Sequence, residues 1–266
     1  VVSGLPQYLQ EEWGWGVVAS YKPLFALTIL FSIGLIVVYS LISEEHTVVR
    51  AQRSPMSKKA GTFITRMSLL GIVDNLGAGL ASPLVSYWFF LRFGVELKSL
   101  GILFFLSYLF AALSFLTAPV IARYIGIVRT MVFSHGIASI LYLLLPFSPS
   151  FFSAQILMVL RSFLAYMDNP LRASFIVAMV RPEERGSAAG VTSLARVIPF
   201  GVSPTLSAYM MQNLSLSLPL VIGGALQLAH DAAFFVLFRN VSLKKMATKR
   251  VIICDQFWEF RDVLNN

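Results

Sequence analysis

The stretch TFITRMSLLGIVDNLGAGLASPLVSYWFFL, residues 62–91, decides the fold of this chain. It is apolar for most of its length, yet Asp74 and Asn75 lie near its centre. A hydrocarbon core of ~30 Å is crossed by ~20 apolar residues, because each residue of an α-helix rises ~1.5 Å. The stretch therefore predicts a membrane-spanning helix that carries a carboxylate at about half its depth.

Six further stretches are also long and apolar enough to cross a bilayer. In chain order, the seven predicted spans are residues 23–43, 62–91, 99–121, 128–147, 150–180, 187–212 and 215–238. Hydrophobic residues make up 57% of the chain and charged residues 13%, and the mean hydropathy is +0.75. Soluble domains are less apolar than this, so the sequence predicts an all-α integral membrane protein.

The distribution of positive charge along the chain indicates its orientation in a membrane rather than binding to nucleic acid. The net charge is +8, but Lys and Arg form no basic helix face. When the loops alternate across the membrane, one side collects Arg50, Arg53, Lys58, Lys59, Arg66, Arg123, Arg129, Arg181, Arg185, Arg239, Lys244, Lys245, Lys249, Arg250 and Arg261. The other side has Lys22, Arg92 and Lys98. Because Lys and Arg favour the cytoplasmic side, we expect a multi-pass protein of the cell (plasma) membrane with a cytoplasmic C-terminus.

The loop pattern also predicts a domain organisation. Residues 44–61 are polar and basic and are interpreted as a cytoplasmic linker. Residues 1–43 then form the end of an N-terminal bundle (its last transmembrane helix), residues 62–239 a C-terminal six-helix bundle, and residues 240–266 a cytoplasmic tail. The chain begins with Val1 and shows no signal peptide, so we expect it to lack the N-terminal half of a twelve-span protein.

A repeated dipeptide predicts that the last six spans consist of two groups of three. The Asp74-Asn75 pair of span two returns as Asp168-Asn169 in span five. These two spans would be the first helices of two three-helix repeats. Inverted repeats around a site near the bilayer midplane are a recurring plan of transporters.

Charged residues that lie well within the spans are the candidate functional residues: Asp74, Arg161, Asp168, Arg172, Arg196 and Asp231. A charge at the centre of a membrane helix costs ~2.5–3.5 kcal/mol on insertion scales, so such residues face a bundle interior or a water-filled cavity. The helical rise places Asp74, Asp168 and Arg196 in one layer. Arg172 lies one turn beyond Asp168 and is its expected partner.

Two interpretations of the polar residues stay open. In the first, a group of them lines a pathway for substrate and protons: Asp74, Asn75, Arg161, Asp168, Asn169 and Arg196. In the second, the same residues form structural ion pairs. A gating or structural role is predicted for a further group: Arg123, His135, Arg172, Arg185 and Asp231.

The histidines and the helix-breaking residues within the spans are further candidates for a functional or structural role. The three histidines are scattered along the sequence and predict no metal site. His135 either relays protons or is a hydrogen-bonded packing residue. His230 adjoins Asp231, and we expect one of these two to be solvated near the inner mouth. Interruptions of the charge-bearing spans are predicted at Gly71, Gly77, Gly79, Pro83, Pro170, Pro199 and Pro204. The alternative for Gly77 and Gly79 is tight packing, because small residues let helices approach, and both roles are compatible.

Several of these segments resemble the major facilitator superfamily of transporters. Residues 74–79 (DNLGAG) are similar to the Asp and Gly run of its seventh helix, and residues 122–131 (ARYIGIVRTM) resemble its eight–nine loop. Residues 167–172 (MDNPLR) and 181–190 (RPEERGSAAG) resemble the tenth helix and the ten–eleven loop of a prokaryotic branch. The resemblance covers residues 23–239 and implies the C-terminal half of such a transporter plus the preceding helix. Ala122 stands where the best-known loop motif has Asp, so the gating role of that Asp is not implied.

The sequence therefore predicts a secondary active transporter, a permease or efflux protein that moves a small solute by alternating access. A proton is the expected coupling ion and sodium the alternative. The expected partners are the solute, the coupling ion, the lipid bilayer and the missing N-terminal half, without nucleic acid or cofactor. A seven-helix receptor or sensor without transport activity is the alternative. An enzyme is not expected, because the motifs of intramembrane hydrolases are absent from the sequence.

Overall fold

A computed structural model describes residues 4–41 and 56–239, and these residues form an all-α structure without a β-strand. Their helices are α1 (Leu5–Trp13), α2 (Val17–Leu41), α3 (Lys58–Ala81), α4 (Val85–Phe93), α5 (Leu97–Ile125), α6 (Ile127–Leu144), α7 (Phe151–Tyr166), α8 (Asp168–Met179), α9 (Arg185–Asn213) and α10 (Leu218–Phe238). Short 3₁₀ turns cover Leu145–Phe147 and Pro182–Glu184. The predicted tail and most of the predicted linker lie outside the described residues.

Five helical segments of the described residues are long and apolar enough to cross a membrane. They are Val17–Leu41, Lys58–Phe93, Leu97–Ile125, Ile127–Phe147 and Leu218–Phe238. These segments correspond to five of the seven predicted spans, namely one to four and seven. Helices satisfy their backbone polar groups internally, which lipid cannot do, so the chain is an all-α, multi-pass membrane protein.

Predicted spans five and six are helical but fall short of the same criterion. Span five is divided at Met167 into α7 and α8, so neither piece is long enough to cross the core alone. Span six corresponds to α9, which carries Arg196 and several Ser and Thr residues. Such helices are stabilised by burial of their polar side chains inside a bundle rather than by contact with lipid.

The helix breaks differ from the predicted ones. Pro83 lies between α3 and α4, as expected. The interruptions predicted at the three glycines of span two are wrong, because α3 is continuous through Gly71, Gly77 and Gly79. Pro170 lies in the first turn of α8, where proline removes no intrahelical hydrogen bond, and the break precedes it at Met167.

The proline interruptions predicted for span six are also wrong. Pro199 and Pro204 both lie inside the unbroken helix α9. Because proline has no N–H, Pro199 and Pro204 leave the carbonyls of Ala195 and Phe200 without their helical donors. The Ser203 hydroxyl donates a hydrogen bond to the carbonyl of Pro199, which is a different carbonyl of the same segment.

The packing of the six-helix region relates its first three spans to its last three. When α3, α5 and α6 are matched with α7, α9 and α10, the main packed pairs of one group correspond to packed pairs of the other. α3 packs against α9 as α7 packs against α5. α3 also packs against α10 as α7 packs against α6, and α6 meets α10 between the two groups. Each group contains three predicted spans, an odd number, so the packing is the one expected of two groups that have opposite orientations.

Two glycines of α3 allow close contact with its neighbours. A Cβ added at Gly77 would lie 2.6 Å from the carbonyl oxygen of Gly223 on α10. A Cβ added at Gly79 would lie 2.8 Å from the Cβ of Ser203 on α9. Small residues permit such approaches between membrane helices. The contact at Gly77 brings Asp74, one turn earlier, beside the face of α10 that carries Asp231.

The buried polar residues form a layer between two apolar clusters. One cluster contains Phe63, Phe175 and Phe238, with further apolar residues of α3, α5, α6, α8 and α10. The other contains Trp88 and Leu220, with further residues of α3 to α7. Along α3, α6 and α10 the polar residues fall between these clusters, so the charged layer lies inside the bundle and away from its ends.

Glu184 ties the loop before α9 to the start of α3. Its Oε1 accepts a 2.7 Å hydrogen bond from the backbone N–H of Ser57, and its Oε2 accepts one of 3.2 Å from the backbone N–H of Arg181. The bond from Ser57 lowers the pKa of the Glu184 carboxyl, because it favours the ionised form. The Ser57 hydroxyl caps α3 by accepting from the N–H of Ala60 at 3.3 Å.

Candidate functional site

A cavity of about 690 Å³ lies in the polar layer of the bundle. Its walls come from α3 to α10, and a broad opening connects it with the outside of the described residues. All six residues predicted to form a pathway line it: Asp74, Asn75, Arg161, Asp168, Asn169 and Arg196. The structure therefore brings together side chains that are separated by up to 122 positions in the sequence, from Asp74 to Arg196.

Asp74 lies on α3 with only 4% of its surface exposed. Its Oδ1 is 3.6 Å from Nε2 of His135 on α6, and its Oδ2 is 3.8 Å from Nη2 of Arg172 on α8. Neither distance is that of a hydrogen bond, and Oδ1 has no hydrogen-bond partner among the described residues. Asn75 instead donates to the carbonyl of Gly71 at 3.0 Å, so its amide stabilises α3. The Asp74 carboxylate is thus close to two basic groups but remains open to a further ligand.

Asp168 and Arg172 form the closest ion pair of the described residues. Nη2 of Arg172 is 2.6 Å from Oδ2 of Asp168, and its Nε donates to the same oxygen at 2.7 Å. This is the i, i+4 pair that the sequence predicts. Both side chains are buried, so the ion pair is shielded from water and each charge depends on the other. Arg172 lies between Asp168 and Asp74 and is the bridge between them.

Asp231 on α10 holds two imidazoles at once. Nδ1 of His135 donates to its Oδ1 at 2.8 Å, and Nδ1 of His230 donates to the same oxygen at 3.0 Å. The Ser139 hydroxyl donates to Oδ2 at 3.2 Å. The expectation that His230 or Asp231 is solvated is wrong: both are buried, because α6 packs over this face of α10.

The two remaining arginines of the pathway group occupy different environments. Arg161 is buried, and its guanidinium carbon lies 3.9 Å from the ring centroid of Tyr142. This cation–π contact stabilises a guanidinium that lines the cavity. Arg196 is half-buried, and its Cγ would lie 3.1 Å from a Cβ at Gly71. The missing Cβ of Gly71 gives the Arg196 stem room to cross α3 toward the cavity.

Arg123 and Arg185, the predicted gating residues, are not part of this site. Both side chains are exposed, at the end of α5 and at the start of α9, and neither lines the cavity. Asn169 is also exposed but does line the cavity. The structure therefore separates the loop arginines from the buried charges.

Two members of the polar layer are missing from the predicted group. Gln227 lines the cavity, and His230 shares Asp231 with His135. A signal for both exists in the sequence, because Gln227, His230 and Asp231 are spaced i, i+3 and i+4 and lie on one face of a helix. Three polar residues on one face of an otherwise apolar span indicate a buried polar contact.

Comparison with known proteins gives a distant relationship. No protein-family model matches the chain. Over 191 residues, 71% of this chain, it is 25% identical to an uncharacterized membrane protein of Saccharomyces cerevisiae. The matched region is 43% of that relative, so the chain spans less than half the length of the curated relative it matches. The likeness and the apolar helices agree on a membrane protein with several spans.

Proposed function

We propose that this chain is part of a secondary active transporter of the major facilitator type. The observation that carries the proposal is the cavity, whose walls hold buried carboxylates and guanidiniums from both three-helix groups. The exchangeable packing of the two groups supports it, because inverted repeats around a central site are a recurring plan of transporters. In this proposal α2 is the last helix of the preceding bundle, and an N-terminal half completes the cavity.

The proposed mechanism places the coupling proton on Asp168. Its partner Arg172 lies 2.6 Å away, whereas the same guanidinium nitrogen is 3.8 Å from Asp74. Protonation of Asp168 removes the charge that holds Arg172, which then moves toward Asp74. Such a shift joins α8 more closely to α3, and alternating access requires a change of this kind in the contacts between helices. His135 and Arg196 line the same cavity as Asp168.

The orientation and membrane belong to the same proposal. The distribution of Lys and Arg favours a cytoplasmic C-terminus in the cell membrane. A solute that enters the cavity meets the guanidiniums of Arg161 and Arg196 and the carboxylates of Asp74 and Asp168 in its lining. Both cationic and anionic groups of a solute therefore have a matching partner, and sodium stays the alternative coupling ion.

Transport by the full-length protein in proteoliposomes tests this proposal. Flux of cationic drugs, sugars and organic anions is measured with and without a proton gradient, for wild type, Asp168→Asn and Glu183→Gln. Glu183 is an exposed loop carboxylate outside the cavity and is the matched control. We expect gradient-dependent flux in wild type and in the control, and its loss in Asp168→Asn.

Two results would contradict the proposal. Gradient-driven flux that is equal in wild type and in Asp168→Asn would show that Asp168 does not carry the coupling proton. Saturable binding of a compound without flux of any compound would favour the receptor or sensor instead.

A further inference from the structure

The two imidazoles of the polar layer share one carboxylate, that of Asp231, through their Nδ1 atoms. Asp231 accepts from Nδ1 of both His135 and His230, so in the neutral imidazoles each Nε2 carries a lone pair. Nε2 of His135 is 3.6 Å from Oδ1 of Asp74. Ligand atoms of Asp74, His135 and His230 all lie within 4.8 Å of one another.

Two of the atoms that meet here have no partner. Oδ1 of Asp74 and Nε2 of His230 are buried and make no hydrogen bond with any described residue. Buried polar atoms without a partner are uncommon in folded proteins, and each one calls for an explanation such as a bound ion. Here the two unpartnered atoms belong to the same three-residue group.

We propose that Asp74, His135 and His230 bind a divalent first-row transition-metal ion. Two imidazole nitrogens and one carboxylate oxygen are the donor set of three-ligand zinc and ferrous sites, which keep an open position for a further ligand. Ligands ~2.0–2.2 Å from a tetrahedral ion are ~3.3–3.6 Å apart. The distance between His135 and Asp74 already fits this range, and side-chain rotation closes the wider pair by about 1 Å.

Asp231 is the positioning residue of the site. A metal-bound imidazole commonly donates its other N–H to a carboxylate, which fixes the ring and strengthens its lone pair. Asp231 does this for both histidines, and the Ser139 hydroxyl holds the second oxygen of the same carboxylate. The orienting hydrogen bonds are therefore in place on the side of the rings that faces away from Asp74.

Negative charge lies directly beside the three ligand atoms. Within 4 Å, Asp74 has one guanidinium, that of Arg172 at 3.8 Å, and among the described residues Asp231 has only the imidazoles of His135 and His230. A divalent ion supplies positive charge next to these two carboxylates when the imidazoles are neutral. Because Asp74 and His135 line the cavity, an ion reaches the site from there, and the open position takes water or solute.

A protonated His135 between Asp74 and Asp231 is the competing explanation of the same geometry. In that case Nε2 carries a proton and cannot bind a metal. This explanation leaves the Nε2 atom of His230 without a role. The metal site gives a role to both unpartnered atoms, and it does not rest on the proposed function, because binding is measured at equilibrium without a gradient.

Cobalt absorption tests the site directly. Full-length protein in nanodiscs, stripped of metal, is titrated with Co²⁺, whose d–d bands report nitrogen and oxygen ligands, and Zn²⁺ is then added to displace it. His230→Gln and Asp74→Asn remove one ligand each, and Asp231→Asn removes the orienting carboxylate. His46→Gln is the matched control, because this histidine is not one of the three ligands. Size-exclusion profiles and thermal unfolding verify that each variant is folded.

We expect one Co²⁺ per chain in wild type and in His46→Gln, displaced by Zn²⁺. Loss of a ligand should abolish the d–d bands, and Asp231→Asn should weaken binding ~10–100-fold. Absence of one-to-one binding of Co²⁺ or Zn²⁺ to wild type would overturn the site. Equal Co²⁺ affinity in His230→Gln and His46→Gln would overturn it as well. If His230→Gln does not fold, the same comparison is made between Asp74→Asn and His46→Gln.

Discussion

Helix α3 and the α7–α8 pair occupy equivalent places in the two three-helix groups and carry the same Asp-Asn dipeptide, yet their carboxylates have different surroundings. Asp74 lies in the middle of a continuous helix and has an unpartnered oxygen. Asp168 begins a new helix; its Oδ2 is held by Arg172 of the same helix, while its Oδ1 also has no hydrogen-bond partner among the described residues. Asp74 therefore has no close ion pair with a guanidinium, whereas Asp168 has one oxygen in such a pair.

The residues that follow the dipeptide account for this difference. After Asn75 the sequence continues with Leu76 and Gly77, so α3 stays helical and α10 comes into contact at Gly77. After Asn169 it continues with Pro170, which is tolerated only in the first turn of a helix, so a helix must start just before it. Arg172 then falls one turn beyond Asp168. Gly77 thus lets another helix place its side chains near Asp74. Pro170 and Arg172 instead give Asp168 a partner from its own helix.

Removal of Arg172 should have the largest effect on stability. In Arg172→Gln two buried carboxylates, Asp168 and Asp74, lose the guanidinium between them. Breaking a buried ion pair from one side costs about 3–5 kcal/mol, because the remaining charge has neither partner nor water. We expect a correspondingly lower free energy of unfolding, measured by thermal or denaturant unfolding in nanodiscs.

The double variant Arg172→Gln/Asp168→Asn and the single variant Arg185→Gln complete this experiment. The double variant should regain part of the lost stability, since it removes the unpaired charge. Arg185 is exposed, so Arg185→Gln should be close to wild type. A cost in Arg172→Gln no larger than that in Arg185→Gln would show that the Asp168–Arg172 pair contributes nothing to stability.

A side chain at Gly77 should have the next largest effect, because it separates α3 from α10. In Gly77→Ala the new Cβ would lie 2.6 Å from the Gly223 carbonyl oxygen, a distance that requires the two backbones to move apart. Overpacking of this kind costs ~1–3 kcal/mol. Asp74 then moves away from His230, so Co²⁺ affinity should fall together with the unfolding temperature.

Gly190→Ala is the control for this prediction. Gly190 lies within α9, and nothing is found within 4 Å of a Cβ placed there. Alanine in an open helical position stabilises by up to ~1 kcal/mol. If Gly77→Ala were as stable as Gly190→Ala, the contact between α3 and α10 would not depend on glycine.

Much of the fold follows from composition alone, but the helix breaks do not. Long apolar stretches with few charges predict helices, and the observed helices fall where they are expected. A glycine such as Gly77 is compatible with either a break or a close contact. The choice depends on Gly223 of another helix, which no local pattern identifies. The break at Met167 depends on where Pro170 fits into a helical turn, which the sequence locates only to within a turn.

Some parts of the candidate site could likewise be predicted from neighbouring residues in the sequence, whereas other parts depend on contacts between distant segments. The i, i+4 spacing predicts the Asp168–Arg172 pair, and the cost of buried charge selects the residues that line the cavity. The group of Asp74, His135 and His230 was missed, because three separate helices must pack before the ligand atoms meet. Scattered histidines argue against a metal site only while the contact between α6 and α10 is unknown.

A smaller effect, dependent on pH, should distinguish the starts of the two equivalent helices. Ser57 begins α3 and Ser150 begins α7, and each hydroxyl accepts from a backbone N–H in the first turn. Only Ser57 is also held by a carboxylate, that of Glu184. The pKa of Glu184 is lowered in the folded protein, so its stabilising effect is present at neutral pH and is lost as the pH falls through that lowered pKa.

Hydrogen exchange measured from neutral to acidic pH should therefore show earlier loss of protection in the first turn of α3 than in the first turn of α7. Glu184→Gln should remove this difference, because its amide keeps the size of the side chain but has no carboxylate to protonate. Glu183→Gln, at the neighbouring exposed position, should retain it. The same pH dependence in both variants would mean that another group ties α3 to the loop. Loss of the difference in Glu184→Gln alone would establish that the first turn of α3 is fixed by a loop carboxylate.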